Sequence, residues 1–304
     1  GSRIRDYEWT GSEHQESCDS LSAKITATLQ SIPDSVWASR TRKNVRPAGQ
    51  DTCDQLTLGL ISCATNNRVP MLSQCTWHLL NLTRLILLYM KKLGNFEEPI
   101  VCTSIQLSRN LESKLHVDKN NQGNSYITGV GNYQYGETFF YDDSENAYDF
   151  YAMTNTIPRF GTEGTMLRGN IKTIKDTVIT FNGKLPHGTM PFRGERFALI
   201  CFSVGTTMYD LTPALMQAMC TELSFRLPRP CLASPCGLDY FLATRAACNI
   251  EVYPNPIRIE AATAPAEAEP SSMRMDAPVF VPRPAAVAAG EETSPDEEVL
   301  VLQQ

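Results

Sequence analysis

Apolar residues recur at helical spacing along the first third of the chain and in short β-rich runs separated by turn residues along the middle. That switch predicts helices first and strands after. Leu21, Ile25, Leu29 and Ile32 stand three or four positions apart, so Asp19–Ile32 reads as a helix stopped by Pro33, with Asp19 or Ser20 as its N-cap. Cys53–Ser62 is short and ambiguous. Pro70 is expected to open a long apolar helix through Leu79, Leu82, Leu85 and Met90, closed by Lys91, Lys92 and Gly94. From Pro99 the texture changes to β-rich. Ile100–Leu107, Ser125–Val130, Thr138–Tyr141, Thr177–Phe181 and Arg196–Val204 read as short strands punctuated by Gly, Asn and Asp. The stretch between Asp142 and Met166 is polar with interleaved aromatics and reads as an insertion, long enough for a lid or binding loop. Helical pieces are expected at Thr212–Cys220 and around Leu238–Ala247. Helices grouped before short strands predict an α+β domain, a sandwich or jelly roll carrying helices.

Composition divides the chain further. Of 304 residues, 42% are hydrophobic, enough for a sizeable core. The formal net charge is −6, but the residues from Glu260 onward carry −7, which leaves the preceding part near neutrality. A strongly basic, nucleic-acid-coating protein is excluded by that balance, and so is a wholly acidic disordered one. Beyond Pro256 the chain is rich in Ala, Pro and Glu and is expected to be disordered. The expected organisation is an N-terminal helical support region (1–98), a strand-rich core (99–206) with the insertion 142–166, a C-terminal extension (207–256) and the acidic tail (257–304). No stretch suits a membrane span, since Leu79–Met90 is short and carries Arg84. The start, GSRIRDYEW, is polar and unlike a secretory signal. The ten Cys therefore read as reduced thiols of a nuclear or cytoplasmic protein.

Candidate chemistry lies in the placement of four histidines. His116 and Asp118 form an HxD pair, which on a strand puts imidazole and carboxylate on one face. His187, from a later strand, would complete a two-histidine, one-carboxylate face that leaves three octahedral positions open, as suits non-haem Fe(II). The competing reading is a surface or hydrogen-bonded His–Asp pair. Nine positions past His187, Arg196 heads the apolar run RFALICFSV, where its guanidinium fork can hold a carboxylate. Arg193 is the alternative, but it falls in the turn. His78 reads as a core histidine and His14 as an exposed one. Cys220, Cys231, Cys236 and Cys248 lack any CxxC pair, so a zinc site is the weaker reading. Gly129, Gly131 and Gly136 do not have phosphate-loop spacing.

The stretch TSIQLSRNLESKLHVDKNNQGNSYITGVGNYQYGETFFYDD resembles the metal-binding half of the Fe(II)/2-oxoglutarate dioxygenase superfamily, nearest to the TET/JBP-like set of algae and protists. The stretch TVITFNGKLPHGTMPFRGERFALICFS resembles the other half. The resemblance covers roughly a third of the chain. It implies a double-stranded β-helix (jelly roll) with N-terminal support helices and a C-terminal helical extension. It also implies His116, Asp118 and His187 as Fe(II) ligands and Arg196 as partner of the distal carboxylate of 2-oxoglutarate. The implied activity is O2-dependent oxidation of a C–H bond, with 2-oxoglutarate leaving as succinate and carbon dioxide. Ascorbate replaces 2-oxoglutarate in some algal relatives.

The resemblance leans towards a nucleic-acid base such as 5-methylcytosine, in DNA or RNA, as substrate. An Asn three residues after the metal-binding Asp contacts the base in TET-type enzymes, and Asn121 stands there, beside Asn120; the pair reads equally as a turn. The basic loop Arg40–Arg46 and the aromatics Tyr148, Phe150, Tyr151 and Phe160 could grip a phosphate backbone and stack a flipped base, or could be surface and barrel cover. The same chemistry on a protein side chain or small molecule, and a non-catalytic binding module derived from a mobile element, are the other two readings.

Overall fold

The structure, a computed structural model, describes residues 3–40, 42–47, 49–50, 52–62, 70–204, 211–228 and 251–252. The expected helix around Leu238–Ala247, Cys231, Cys236 and Cys248, and the acidic tail lie outside these residues. The amino-terminal part carries β1 (Arg3–Ile4), α1 (Cys18–Gln30), β2 (Ala38–Arg40), β3 (Cys53–Ser62), β4 (Pro70–Leu72), α2 (Gln74–His78) and α3 (Leu80–Leu93). Then come β5 (Ser104–Arg109), β6 (Ser125–Val130), β7 (Tyr133–Tyr135), β8 (Thr138–Tyr141), β9 (Asp149–Ala152) and β10 (Met166–Lys172). They are followed by β11 (Ile179–Phe181), β12 (His187–Thr189), β13 (Phe192–Gly194), β14 (Phe197–Phe202), α4 (Pro213–Gln217) and β15 (Glu251–Val252).

The protein is a mixed, sheet-rich fold with two main antiparallel sheets. The larger runs β11–β6–β14–β5–β3–β2, with β4 beside β3; the smaller runs β12–β8–β10–β9. Strand parity assigns the faces. On β14, Phe197, Leu199 and Cys201 are buried with Leu56, Leu58, Ile105 and Leu107 against α1 and α3. The alternate residues Ala198 and Ile200 meet Ile127, Phe181 and Phe140 in a separate apolar cluster between the sheets. On β3 and β5 the same inward parity carries Gln55, Thr57, Gln106 and Ser108. There Gln55 Nε2 donates to Ser108 Oγ at 3.2 Å and Thr57 Oγ1 to Gln106 Oε1 at 3.2 Å. The inner face thus turns from apolar to polar along the sheet, and a cavity opens at the change.

Local expectations meet several corrections. The N-cap of α1 is Ser17, whose side chain accepts from Ser20 N, not Asp19 or Ser20. Pro70 does not open a helix: it begins β4, a short flanking strand where a missing N–H is tolerated, and pairs with Ser62 of β3. The helix divides at Leu79, and Gly94 caps the end of α3 as expected. No side chain of α3's own N-cap is available, and Asp6 supplies it from a distance, accepting from Asn81 N at 2.8 Å and Leu82 N at 3.0 Å. The stretch 142–166 is not wholly irregular, since β9 within it pairs with β10. The ambiguous Cys53–Ser62 is a ten-residue strand paired with β5, so the sheet crosses the compositional boundary at 98/99. The piece at Thr212–Cys220 is α4, capped by Thr212, continuing into a π-helical turn at Ala218–Glu222.

Candidate metal centre

His187 opens β12 and lies opposite His116, which forms an isolated antiparallel bridge with it. Each backbone N–H donates to the other's carbonyl, at 2.9 and 3.0 Å. The two imidazoles therefore leave the pair on one side, with ring centroids 4.3 Å apart. Asp118 is drawn in by its own N–H, which donates to Gly183 O at 2.7 Å. One ligand-capable atom from each of the three lies within 4.8 Å of the others. Among the described residues no other such group of His, Cys, Asp and Glu occurs.

The protonation states suit a cation. Nδ1 of His116 donates to Lys114 O at 2.8 Å and Nδ1 of His187 to Leu185 O at 2.9 Å. A carbonyl only accepts, so these bonds place a proton on each Nδ1 and turn each Nε2 towards Asp118. Burial, reinforced by the neighbouring His187, pushes His116 down to about 3 and keeps it neutral. Burial alone would raise the Asp118 carboxyl. The adjacent His187 and His116 rings and Arg42 outweigh it and hold Asp118 below the usual carboxylate range. The Nε2 atoms of His116 and His187 lie 3.9 and 3.6 Å from the Asp118 oxygens. Neighbouring ligands about 2.1 Å from a six-coordinate ion stand roughly 3 Å apart, so the set would close on a metal with shifts under about 1 Å.

A narrow cavity of ≈ 100 Å³ leads inward from these three residues to Arg196. Arg196 precedes β14 on the inward parity of Ala198 and Ile200, and it is 1% exposed, whereas Arg193 on β13 is exposed. Its guanidinium lies 5.6 and 5.5 Å from the Tyr133 and Phe192 rings. Among the described residues neither Nε nor Nη2 has a hydrogen-bond acceptor, and Tyr133 Oη and Thr138 Oγ1 are likewise buried without partners. Tyr133 and Arg196 are near enough to influence each other's ionisation, though no hydrogen bond of regular geometry joins them. Burial lowers the Arg196 pKa. A buried cation with two unmet donors is costly, and a carboxylate is the group that meets a guanidinium fork.

Gly129 makes room for this cluster, because a Cβ there would stand 2.2 Å from Tyr133 Oη. Gly129→Ala is expected to cost about 1–3 kcal/mol, read as a lower Tm. Adding Tyr133→Phe, which removes that oxygen, should recover most of the loss.

The structure brings His116, Asp118, His187 and Arg196 to one cavity. Asn121 is buried beside them, its amide donating to Asp118 Oδ2 and to Ser125 Oγ at 3.3 Å each, while Asn120 is exposed in the turn. Arg42, from the basic loop, lies with Nη2 3.5 Å from Asp118 Oδ1. The sequence offered the basic loop that holds Arg42 as a grip on a phosphate backbone but did not bring it to the metal ligands, and it did not place Gln55, Tyr133 or Thr138 at the site. Period-two polar positions inside the apolar strand β3 were the available signal for Gln55. Of the insertion aromatics, Tyr151 packs on Phe139 and Phe160 on Tyr141, Tyr148 and Phe150 are exposed, and none lines the cavity. His78 is buried, and His14 is exposed.

No family model matches the chain, and neither does any curated protein. Among solved structures it is similar to an oxidoreductase of the 2OG-Fe(II) oxygenase family from Burkholderia pseudomallei. The identity is 15% over 66% of this chain and 95% of that one, with a TM-score of 0.31. It is also similar to a Pseudomonas putida prolyl-4-hydroxylase, at 14% identity over 62% and 88% of the two chains, with a TM-score of 0.28. Likenesses this weak assign no activity. Among the described residues no helix is long and apolar enough to cross a membrane.

Proposed function

We propose that this chain is an Fe(II)- and 2-oxoglutarate-dependent dioxygenase that oxidises a C–H bond. The observation that carries the reading is one cavity with His116, Asp118 and His187 converging at one end and, at the other, a buried Arg196 whose Nε and Nη2 have no acceptor among the described residues. Topology supports it. Strands β5, β14, β6 and β11 share one sheet, while the His116 segment, β12, β8 and β10 line up in the other. The chain passes back and forth between them, as in a double-stranded β-helix.

The residues divide the work. His116 offers a neutral nitrogen, His187 a second imidazole nitrogen and Asp118 a charge. Asn121 and the backbone bond to Gly183 hold the carboxylate in place. Arg196 and Thr138, which line the cavity, present donors to a carboxylate, which favours a dicarboxylate cosubstrate over ascorbate. The apolar wall of Ile127, Phe181, Ala198 and Ile200 limits water. When bound, the iron with 2-oxoglutarate and O2 supplies the oxidising power, so no side chain need act as acid, base or nucleophile.

For the substrate we propose a nucleic-acid base such as 5-methylcytosine. A groove of ≈ 950 Å³ beside the centre is lined by Arg42, Lys43, Lys114 and Lys119, and Asp118 is the only carboxylate among its described lining. That charge pattern suits a phosphate backbone. The insertion lines the groove through Asn155, Thr156, Ile157 and Pro158 and not through its aromatics, which favours the second reading, a protein side chain or small molecule. Anaerobic Fe(II) with 2-oxoglutarate should give a visible charge-transfer band in the wild type and none in His116→Ala. A wild type without the band would sink the assignment. Nucleoside mass spectrometry on 5-methylcytosine DNA then separates the substrates: unchanged nucleosides during active 2-oxoglutarate turnover select the second reading.

A further inference from the structure

Arg42 belongs to neither sheet, yet it lines both the inner cavity and the outer groove. Its guanidinium is held by two long contacts, Nη2 at 3.5 Å from Asp118 Oδ1 and Nη1 at 3.5 Å from Gln55 Oε1. Its side chain is 37% exposed, so it has room to turn outward. Asp118 is its one ion-pair partner among the described residues. A guanidinium beside Asp118 and a divalent cation on Asp118 repel each other, and the same carboxylate cannot fully neutralise both.

We propose that metal binding to His116, Asp118 and His187 displaces Arg42 from Asp118 and turns it into an anion-binding residue of the groove, directed at a phosphodiester of the substrate. The inference rests on the metal-centre reading above and adds a coupling to it. In the metal-free chain Arg42 satisfies Asp118 and is unavailable to substrate. Once the ion neutralises Asp118, the described lining of the groove keeps Arg42, Lys43, Lys114 and Lys119 and loses its only opposing charge. Metal and anionic substrate then bind with positive coupling, and by linkage each tightens the other equally. The chain thereby admits substrate preferentially when the centre is loaded.

The test uses the whole chain with Mn(II) as the metal, read by electron paramagnetic resonance, and a fluorescein-labelled oligothymidylate as the anionic probe, read by anisotropy. In the wild type Mn(II) should tighten probe binding about 5-fold or more. In Arg42→Gln that dependence should vanish, while Mn(II) itself binds roughly 3-fold tighter because the competing cation is gone. Arg42→Lys, which keeps the charge, should retain most of the coupling. Lys119→Gln should weaken the probe equally with and without metal. His116→Ala, which lacks the centre, should show no Mn(II) effect, so a response there would assign the coupling to ions on the probe and overturn the proposal. Weaker Mn(II) binding in Arg42→Gln would make Arg42 a fixed support of Asp118 and also overturn it. Coupling seen with oligoglutamate but not with oligothymidylate would overturn the phosphodiester assignment. A wild type that binds no Mn(II) removes the metal reading itself, whereas normal Mn(II) binding without coupling removes only this inference.

Discussion

Arg196→Met is expected to raise the Tm of the ligand-free protein while abolishing its response to 2-oxoglutarate. Arg196 is 1% exposed, with Nε and Nη2 unmet and aromatic rings on two sides. Replacing a buried charge of this kind by an apolar side chain of similar length stabilises by about 1–4 kcal/mol when nothing balances the charge. The ligand-bound state behaves in the opposite way. In the wild type, 2-oxoglutarate at about 100 times its Kd adds about 2.7 kcal/mol of stability, and the variant should gain almost none. Anaerobic thermal unfolding with Mn(II), with and without 2-oxoglutarate, reads both effects in one experiment. Arg196→Lys should keep the stability cost and lose much of the affinity, because an ammonium lacks the two-pronged fork. A Met variant that loses stability and still shifts with 2-oxoglutarate would make Arg196 a packing residue.

Asp118→Asn should weaken divalent-metal binding by more than about 100-fold with little change in fold. Removing an outer partner of a metal ligand already costs about 10–100-fold, and Asp118 would be the only anionic ligand of the set. Asn preserves the shape and the backbone bond to Gly183, so the loss reports the charge. Asn121, now facing an amide, can no longer count on an acceptor at Oδ2. Mn(II) titration by electron paramagnetic resonance measures the effect, and a circular dichroism spectrum confirms the fold. Equal Mn(II) affinity in the variant would place the ion elsewhere. Asp118→Asn and Arg42→Gln are therefore expected to move metal affinity in opposite directions, although both break the same ion pair.

Particular elements show how far the chain's pattern carries. Ser125–Val130 and Thr138–Tyr141 coincide with β6 and β8. β14 lies inside the expected Arg196–Val204. Alternating burial leaves its mark on composition, so such strands can be read. β10, with the sequence MLRGNIK, was missed because half its positions are polar and Gly169 breaks the run. It is a strand because β8 and β9 flank it, and Gly169 is there because a Cβ would meet Phe140 O at 2.2 Å and the Phe139 ring at 2.6 Å. Cys53–Ser62 was ambiguous because its outward face is apolar against the helices and its inward face is polar towards the cavity. Pro70 carries the mark of a helix start, yet a Pro on a short flanking strand looks the same in sequence.

The candidate site divides along the same line. The sequence by itself determined the residue types: an HxD pair, a later His at a strand start, and an Arg in register with the inward face of an apolar strand. Those are local facts, set by a period of two and by the chemistry of each side chain. Only the tertiary structure decided that His116 stands opposite His187, that Arg42 reaches Asp118, that Tyr133 and Thr138 leave donors near Arg196, and that Asp6 caps α3 across more than seventy positions. Each of these depends on which strands become neighbours. That choice is made by burial summed over two sheets and the helices behind them, and no window of sequence contains it.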